Sequence, residues 1–113
     1  MTSSYNLATD PRGLPVEFWN SRWEWLISKH PDLLQYNVTE SHLQAAIENP
    51  ADGCIYASKK YPDCELYYTR FLKNLQIKVV VKFTLGVGEI LTAHFVKERS
   101  SGETLVWMRG QSI

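Results

Sequence analysis

The chain has 113 residues, an apolar fraction of 44% and no net charge, with 12 basic and 12 acidic side chains. This length suffices for one hydrophobic core but not for two, and the apolar content excludes an intrinsically disordered chain. The zero net charge excludes a globally basic nucleic-acid-binding protein. We therefore expect a single domain at residues 15–113, preceded by a flexible arm at residues 1–14.

The charges are unevenly distributed along the chain. Residues 1–57 carry three basic and seven acidic side chains, whereas residues 58–113 carry nine basic and five acidic ones. A polarised chain of zero net charge can still present a local positive surface to a phosphate, because the field at the site decides binding. The same distribution also fits an ordinary protein surface that has an acidic and a basic region and binds no phosphate.

The N-terminus and the two cysteines favour a reducing compartment. Residues 1–13 lack the apolar region of a secretory signal, and no run of about 18 apolar residues predicts a membrane span. We expect a cytoplasmic protein without membrane association. Cys54 and Cys64 fall on neighbouring predicted strands, where two buried free thiols and a cross-strand disulfide are both open interpretations.

A first helix is predicted at residues 15–29. Pro15 suits a first helical turn, because its missing N–H would have no partner there. Apolar residues then recur at the spacing of one helical face, at Val16, Trp19, Trp23, Leu26 and Ile27. The helix is expected to end at His30, because a residue that precedes proline is disfavoured in the α region.

A second helix and a series of strands are predicted after it. Thr39 is the predicted N-cap of a short helix that Asn49-Pro50 ends. After Gly53 the apolar period changes to two, and turn-forming residues separate the predicted strands. These strands are residues 54–58, 65–71, 76–83 and 89–97, with residues 104–108 as a fifth strand at one edge. The predicted fold class is α+β, with two N-terminal helices packed on a four- to five-stranded antiparallel β-meander.

The alternation of side chains separates a buried face of this sheet from an open one. The predicted buried sets are Ile77, Val79, Val81 and Phe83 in the third strand and Leu91, Ala93 and Phe95 in the fourth. The polar residues between them are left on the other face. The predicted open face carries Ser58, Tyr68, Arg70, Lys78, Lys82, Thr92 and His94.

We expect any reaction on this face to use protein side chains alone, without a metal ion or a cofactor. The sequence contains no glycine-rich phosphate loop and no HExxH, CxxC or GxSxG motif, and its three histidines and two cysteines are scattered. We therefore expect no metal site and no cofactor. RNA cleavage remains feasible, because RNA supplies its own nucleophile, the 2′-hydroxyl, and the protein needs only a proton acceptor, a proton donor and groups that hold the phosphate.

His30 and His94 are the candidate acid and base, and Arg70 and Thr92 the candidate phosphate-holding residues. Further predicted RNA-binding residues are Ser58, Lys59, Tyr68, Lys78 and Lys82, with Tyr68 also able to stack on a base. Each has a structural alternative. A histidine at a helix C-terminus is favourable through the helix dipole alone, and lysines on an open sheet face are usually solvated.

Three segments resemble a known family. Residues 23–33, WEWLISKHPDL, resemble the "W..I...HPE" signature of the phage-associated branch of the ribonuclease superfamily that groups barnase, EndoU, cytotoxic colicins and RelE. Residues 46–50, AIENP, resemble the second helix of that branch, and residues 90–95, ILTAHF, resemble its "vvTAy" strand. Asp32 replaces the glutamate of the motif, and His94 replaces its aromatic residue.

The resemblance implies two helices followed by a four-stranded antiparallel meander, and metal-independent RNA cleavage. By position it implies functional roles for His30, Ser58, Tyr68, Arg70 and Thr92. Our first hypothesis is thus a toxin-like or phage-derived endoribonuclease, with RNA as substrate and an antitoxin or immunity protein as partner. The alternative is a non-catalytic RNA-binding or protein-interaction module that uses the same basic sheet face. The oligomeric state is not predicted.

Overall fold

The computed structural model describes residues 3–110, which form seven strands, three α-helices and a short 3₁₀ turn. The strands are β1 (Ser4–Thr9), β2 (Pro15–Trp19), β3 (Cys54–Ala57), β4 (Cys64–Leu72), β5 (Leu75–Thr84), β6 (Val87–Val96) and β7 (Thr104–Met108). The helices are α1 (Arg22–Lys29), α2 (Pro31–Gln35) and α3 (Glu40–Glu48), and the 3₁₀ turn spans Ala51–Gly53. None of these helices is long and apolar enough to cross a membrane.

The strands form one mixed sheet in the order β1-β2-β6-β5-β4-β3-β7. Neighbouring strands are antiparallel except β2 and β6, which run parallel and pair Val16 with Gly88. The predicted fold class is therefore wrong, because a hairpin precedes the helices and extends the sheet beyond β6. The antiparallel order of β3 to β6 and the edge position of β7 match the prediction within this larger sheet.

The N-terminal hairpin is the main departure from the prediction. Residues 15–19 form β2 instead of the start of a helix, and residues 4–9, predicted to be irregular, form β1. Val16 and Phe18 are buried and alternate with the partly exposed Glu17, which is the period of a strand. Val16 fits the apolar spacing of a helix as well as that of a strand. The strand forms because pairing with both β1 and β6 gives hydrogen-bond partners to the backbone N–H and C=O groups of this segment.

A buried ion-pair network joins the turn of this hairpin to β4. The Asp10 carboxylate accepts hydrogen bonds from the Arg12 guanidinium at 2.7 Å and from the Tyr67 hydroxyl at 2.8 Å. Arg12 also donates to Glu65 at 2.5 Å. A buried carboxylate is costly unless it is paired and hydrogen-bonded, so this network specifies where the hairpin packs on the sheet.

The helices agree better with the sequence. α1 begins later than predicted but ends at His30, whose N–H donates to the Leu26 carbonyl at 2.7 Å. α2, which was not predicted, begins directly at Pro31. α3 confirms the second predicted helix, with Thr39 as N-cap and the His42 side chain completing a capping box.

The core lies between the helices and one face of the sheet. Ile77, Val79 and Val81 are fully buried in it, as predicted. β6 contains a bulge, because Val80 pairs with Thr92 while Val81 pairs with Ile90. The extra residue is Leu91, which was predicted in the core but packs on the opposite face, while Ile90 takes the core position.

Candidate nucleic-acid groove

A groove of about 610 Å³ lies between α1, the turn after β3 and the open face of β4 to β6. β2 pairs with β6 only near Gly88 and Glu89, and α1 follows β2 directly, so α1 lies beside the remainder of β6. The groove is lined by Arg22, Trp25, His30, Ser58, Lys60, Tyr61, Leu66, Lys78, Val80, Leu91, Thr92 and His94. The groove thereby brings together five of the predicted site residues, namely His30, Ser58, Lys78, Thr92 and His94.

Two of the three histidines of the chain meet in this groove. His30 is held by the junction of α1 and α2, and His94 by β6. Their rings are stacked, with centroids 5.4 Å apart and planes inclined by 26°. The residues are 64 positions apart in sequence, so the pair is formed only by the tertiary structure.

The surroundings of His94 favour its neutral form. Burial lowers the pKa of His94, and the positive charges of His30 and Lys78 lower it further, while Asp32 acts in the opposite direction. Lys78 and His94 are directly opposite each other on β5 and β6, which accounts for the effect of the lysine. A neutral imidazole near pH 7 can accept a proton.

A buried glutamate holds Lys78 in place. Glu103, at the start of β7, is only 3% exposed at its side chain, and its carboxylate accepts hydrogen bonds from Lys78 at 3.0 Å and from the Tyr68 hydroxyl at 2.7 Å. Burial and this bond raise the pKa of Tyr68, so its hydroxyl remains a donor. Tyr68 was predicted to stack on a base, but its buried ring cannot do so.

The rim of the groove carries two pairs of a cation and an aromatic ring. The Arg22 guanidinium lies 5.0 Å from the centre of the Trp25 ring, and the Lys60 ammonium 5.3 Å from that of Tyr61. Trp25 is 40% exposed and Tyr61 52% exposed, so both rings are open to a ligand. Positive charge beside exposed aromatic rings is typical of surfaces that bind single-stranded nucleic acid.

Four predicted residues, the buried Tyr68 among them, do not line the groove. Arg70 is exposed and lines a separate pocket with Asp52 and Arg109, beside the 3₁₀ turn that precedes β3. Lys82 lies near the C-terminal end of β5, in a pocket with Glu17 and Glu89. Lys59 lines a depression that adjoins the groove. The open face is also less polar than predicted, because Cys64, Leu66, Tyr68 and Val80 form a second apolar cluster on it.

Several groove residues were not predicted. The adjacent Lys60 and Tyr61 combine a basic and an aromatic residue in a turn, and Arg22 and Trp25 do so three positions apart on a helix. Such pairing is a usable signal in sequence. Glu103 carries no comparable signal, because its partners Tyr68 and Lys78 are distant in the chain.

Comparisons of the chain with protein-family models, with curated proteins and with solved structures found no match. Within residues 3–110, no group of three or more His, Cys, Asp or Glu side chains is placed to hold a metal ion. Cys54 and Cys64 are separate buried free thiols, so the disulfide interpretation is wrong. The geometry of the groove is therefore the basis for any functional assignment.

Proposed function

We propose that the groove binds an unpaired segment of RNA and cleaves one phosphodiester bond by attack of the 2′-hydroxyl. The observation that carries the proposal is the His30–His94 pair, which lies in a groove that also contains Lys78 and Thr92. Two imidazoles in one groove can provide both the acid and the base that this reaction needs.

The surroundings of His94 assign it the role of base, which leaves the role of acid to His30. His94, with its lowered pKa, accepts the proton of the 2′-hydroxyl as the oxygen attacks phosphorus. The bond from phosphorus to the 5′-oxygen breaks, and His30 donates a proton to that leaving oxygen. The products are a 2′,3′-cyclic phosphate and a free 5′-hydroxyl, so every proton and bond is accounted for.

The phosphate would be held by groups close to the histidine pair. Lys78 supplies positive charge, and the Thr92 hydroxyl supplies a hydrogen bond. The Ser58 hydroxyl accepts hydrogen bonds from the N–H groups of Lys60 at 3.3 Å and Tyr61 at 3.1 Å and can donate its own proton onward. Because Arg70 lines a different pocket, the proposal assigns to Lys78 the role that the sequence suggested for Arg70.

Base binding would use the rim. Trp25 and Tyr61 offer exposed ring faces on which unpaired bases can stack, and Arg22 and Lys60 add positive charge beside them. An antitoxin or immunity protein, if this activity is toxic to its host, would be expected to cover the same groove.

Incubation of the protein with a single-stranded RNA in the presence of EDTA tests the proposal. We expect products that end in a 2′,3′-cyclic phosphate, and a rate that falls by about 100-fold or more in His30→Ala and in His94→Ala, because each removes a proton-transfer group. His42→Gln is the matched control, since His42 lies in α3 outside the groove and glutamine preserves its capping box. Thr92→Ala should lower the rate as well.

The second candidate is a non-catalytic RNA-binding module, which is favoured by the cation–aromatic pairs at the rim. Binding needs only charge and stacking, and its affinity falls steeply with salt. Intact RNA over a range of pH, together with salt-sensitive binding that Trp25→Ala weakens, would overturn the catalytic proposal in favour of this module.

A further inference from the structure

A second depression, of about 430 Å³, adjoins the groove across the turn after β3. It shares Ser58, Lys60 and Lys78 with the groove and adds Lys59, together with the loop between β6 and β7. We call it the lysine trench. Because the two share these three lining residues, the trench lies directly beside the groove.

The shape of the trench places Lys59 over the β6–β7 loop. A Cβ atom at Gly102 would lie 2.9 Å from Lys59 Cδ and 3.2 Å from its Nζ, so the lysine stem rests against the glycine. Gly102 has a φ of +88°, which favours glycine in this turn. The lysine stem therefore lies in space that a side chain at position 102 would occupy.

The trench carries unbalanced positive charge. The Glu103 carboxylate is engaged with Lys78 and the Tyr68 hydroxyl. The ion pairs found within residues 3–110 involve neither Lys59 nor Lys60. Two exposed ammonium groups, with the hydroxyls of Ser100 and Ser101 across from them, favour an anion of phosphate type.

We infer that the lysine trench binds the phosphate next to the one held in the groove. This inference rests on the proposed function and specifies its substrate as an extended single strand with at least two successive phosphodiesters. Successive phosphates of one strand are anions that two adjoining sites on one surface can bind together. A dinucleoside monophosphate fills only the groove.

The experiment compares a dinucleoside monophosphate with trinucleoside diphosphates extended on its 5′ or its 3′ side. We expect one of the extended substrates to show a kcat/KM about fivefold higher or more, since it gains one charge-assisted contact. Lys59→Gln should reduce that ratio to less than about twofold. Lys73→Gln, which changes an exposed lysine in the β4–β5 turn, should preserve the ratio.

A binding measurement separates this inference from the proposed function. A five-nucleotide 2′-O-methyl RNA, which lacks the nucleophile, should bind with a slope of log Kd against log salt that is smaller by about 0.7 in Lys59→Gln than in Lys73→Gln. Equal slopes, or cleavage rates that do not depend on substrate length, would overturn the inference. Absence of cleavage with the expected change in slope would leave the trench established and refute the catalytic proposal alone.

Discussion

The ring of His94 faces two basic side chains. His30 stacks on it at 5.4 Å between centroids, and Lys78 faces it from the neighbouring strand. Burial and these two charges together lower the pKa of His94. Since a positive neighbour disfavours the imidazolium, removing one should stabilise the protonated form.

We therefore expect Lys78→Met to raise the pKa of His94 toward its ordinary value. Titration of the histidine ring resonances by NMR measures this directly and requires no substrate. Lys82→Met is the matched control, because Lys82 lies on the same strand but outside the groove. An unchanged or lower pKa in Lys78→Met would show that Lys78 does not act on His94 as the structure indicates.

At the scale of elements, the residue directly before β7 links this edge strand to β4 and β5. Glu103 accepts bonds from Tyr68 on β4 and from Lys78 on β5, so a single carboxylate connects three strands. Arg99 is a weaker partner of the same carboxylate, at 3.9 Å and with 39% of its side chain exposed. Its guanidinium also lies 4.1 Å from the centre of the Tyr56 ring.

Replacing the buried Glu103 should lower the free energy of unfolding more than replacing its exposed partner Arg99. Glu103→Gln is expected to lower the free energy of unfolding by about 1–3 kcal/mol, because Lys78 loses its counterion in a half-buried position. Arg99→Gln should lower it by less than about 1 kcal/mol, since exposed ion pairs and cation–π contacts contribute little. Urea denaturation measures both, and equal effects would contradict the assigned role of Glu103.

At the scale of the whole molecule, the N-terminal hairpin is part of the main core. Ala8, Val16 and Phe18 are buried with the helices and the central strands. Asp10 in the hairpin turn accepts a hydrogen bond from Tyr67 and thereby connects the turn to β4. The predicted helix at residues 15–29 would have buried Trp19 and turned Phe18 away. In β2 the burial of the two side chains is the opposite, because Phe18 is buried and Trp19 is only partly buried.

The two neighbouring aromatic residues thus distinguish strand from helix. Phe18→Ala should lower the free energy of unfolding by about 3–5 kcal/mol, whereas Trp19→Ala should cost clearly less. Chemical denaturation followed by far-UV circular dichroism measures both. If Phe18→Ala does not fold, the pair Phe18→Leu and Trp19→Leu should show the same order with smaller losses. The reverse order would support the helix.

Features that depend on neighbouring residues could be predicted from the sequence. The capping box at Thr39 and the proline after His30 determine helix ends through local hydrogen bonds and sterics. The alternation of residues 76–83 determines which side chains of β5 are buried. The same alternation failed at Leu91, because a bulge depends on the register with the partner strand and not on the residues around it.

The sequence alone therefore determined α3, the end of α1 and the strands from β3 to β7, together with His30, Thr92 and His94 as candidate residues. Only the tertiary structure decided that residues 15–19 form a strand, because their apolar spacing fits two periods and the choice depends on pairing with β1 and β6. The tertiary structure also decided which residues line the groove. Lys60 and Arg22 each lie beside an aromatic residue that is close in sequence, but only the tertiary structure brings the two pairs to one groove. Glu103 bonds to Lys78 of the groove from 25 positions away, and such a contact leaves no periodic signal in the sequence.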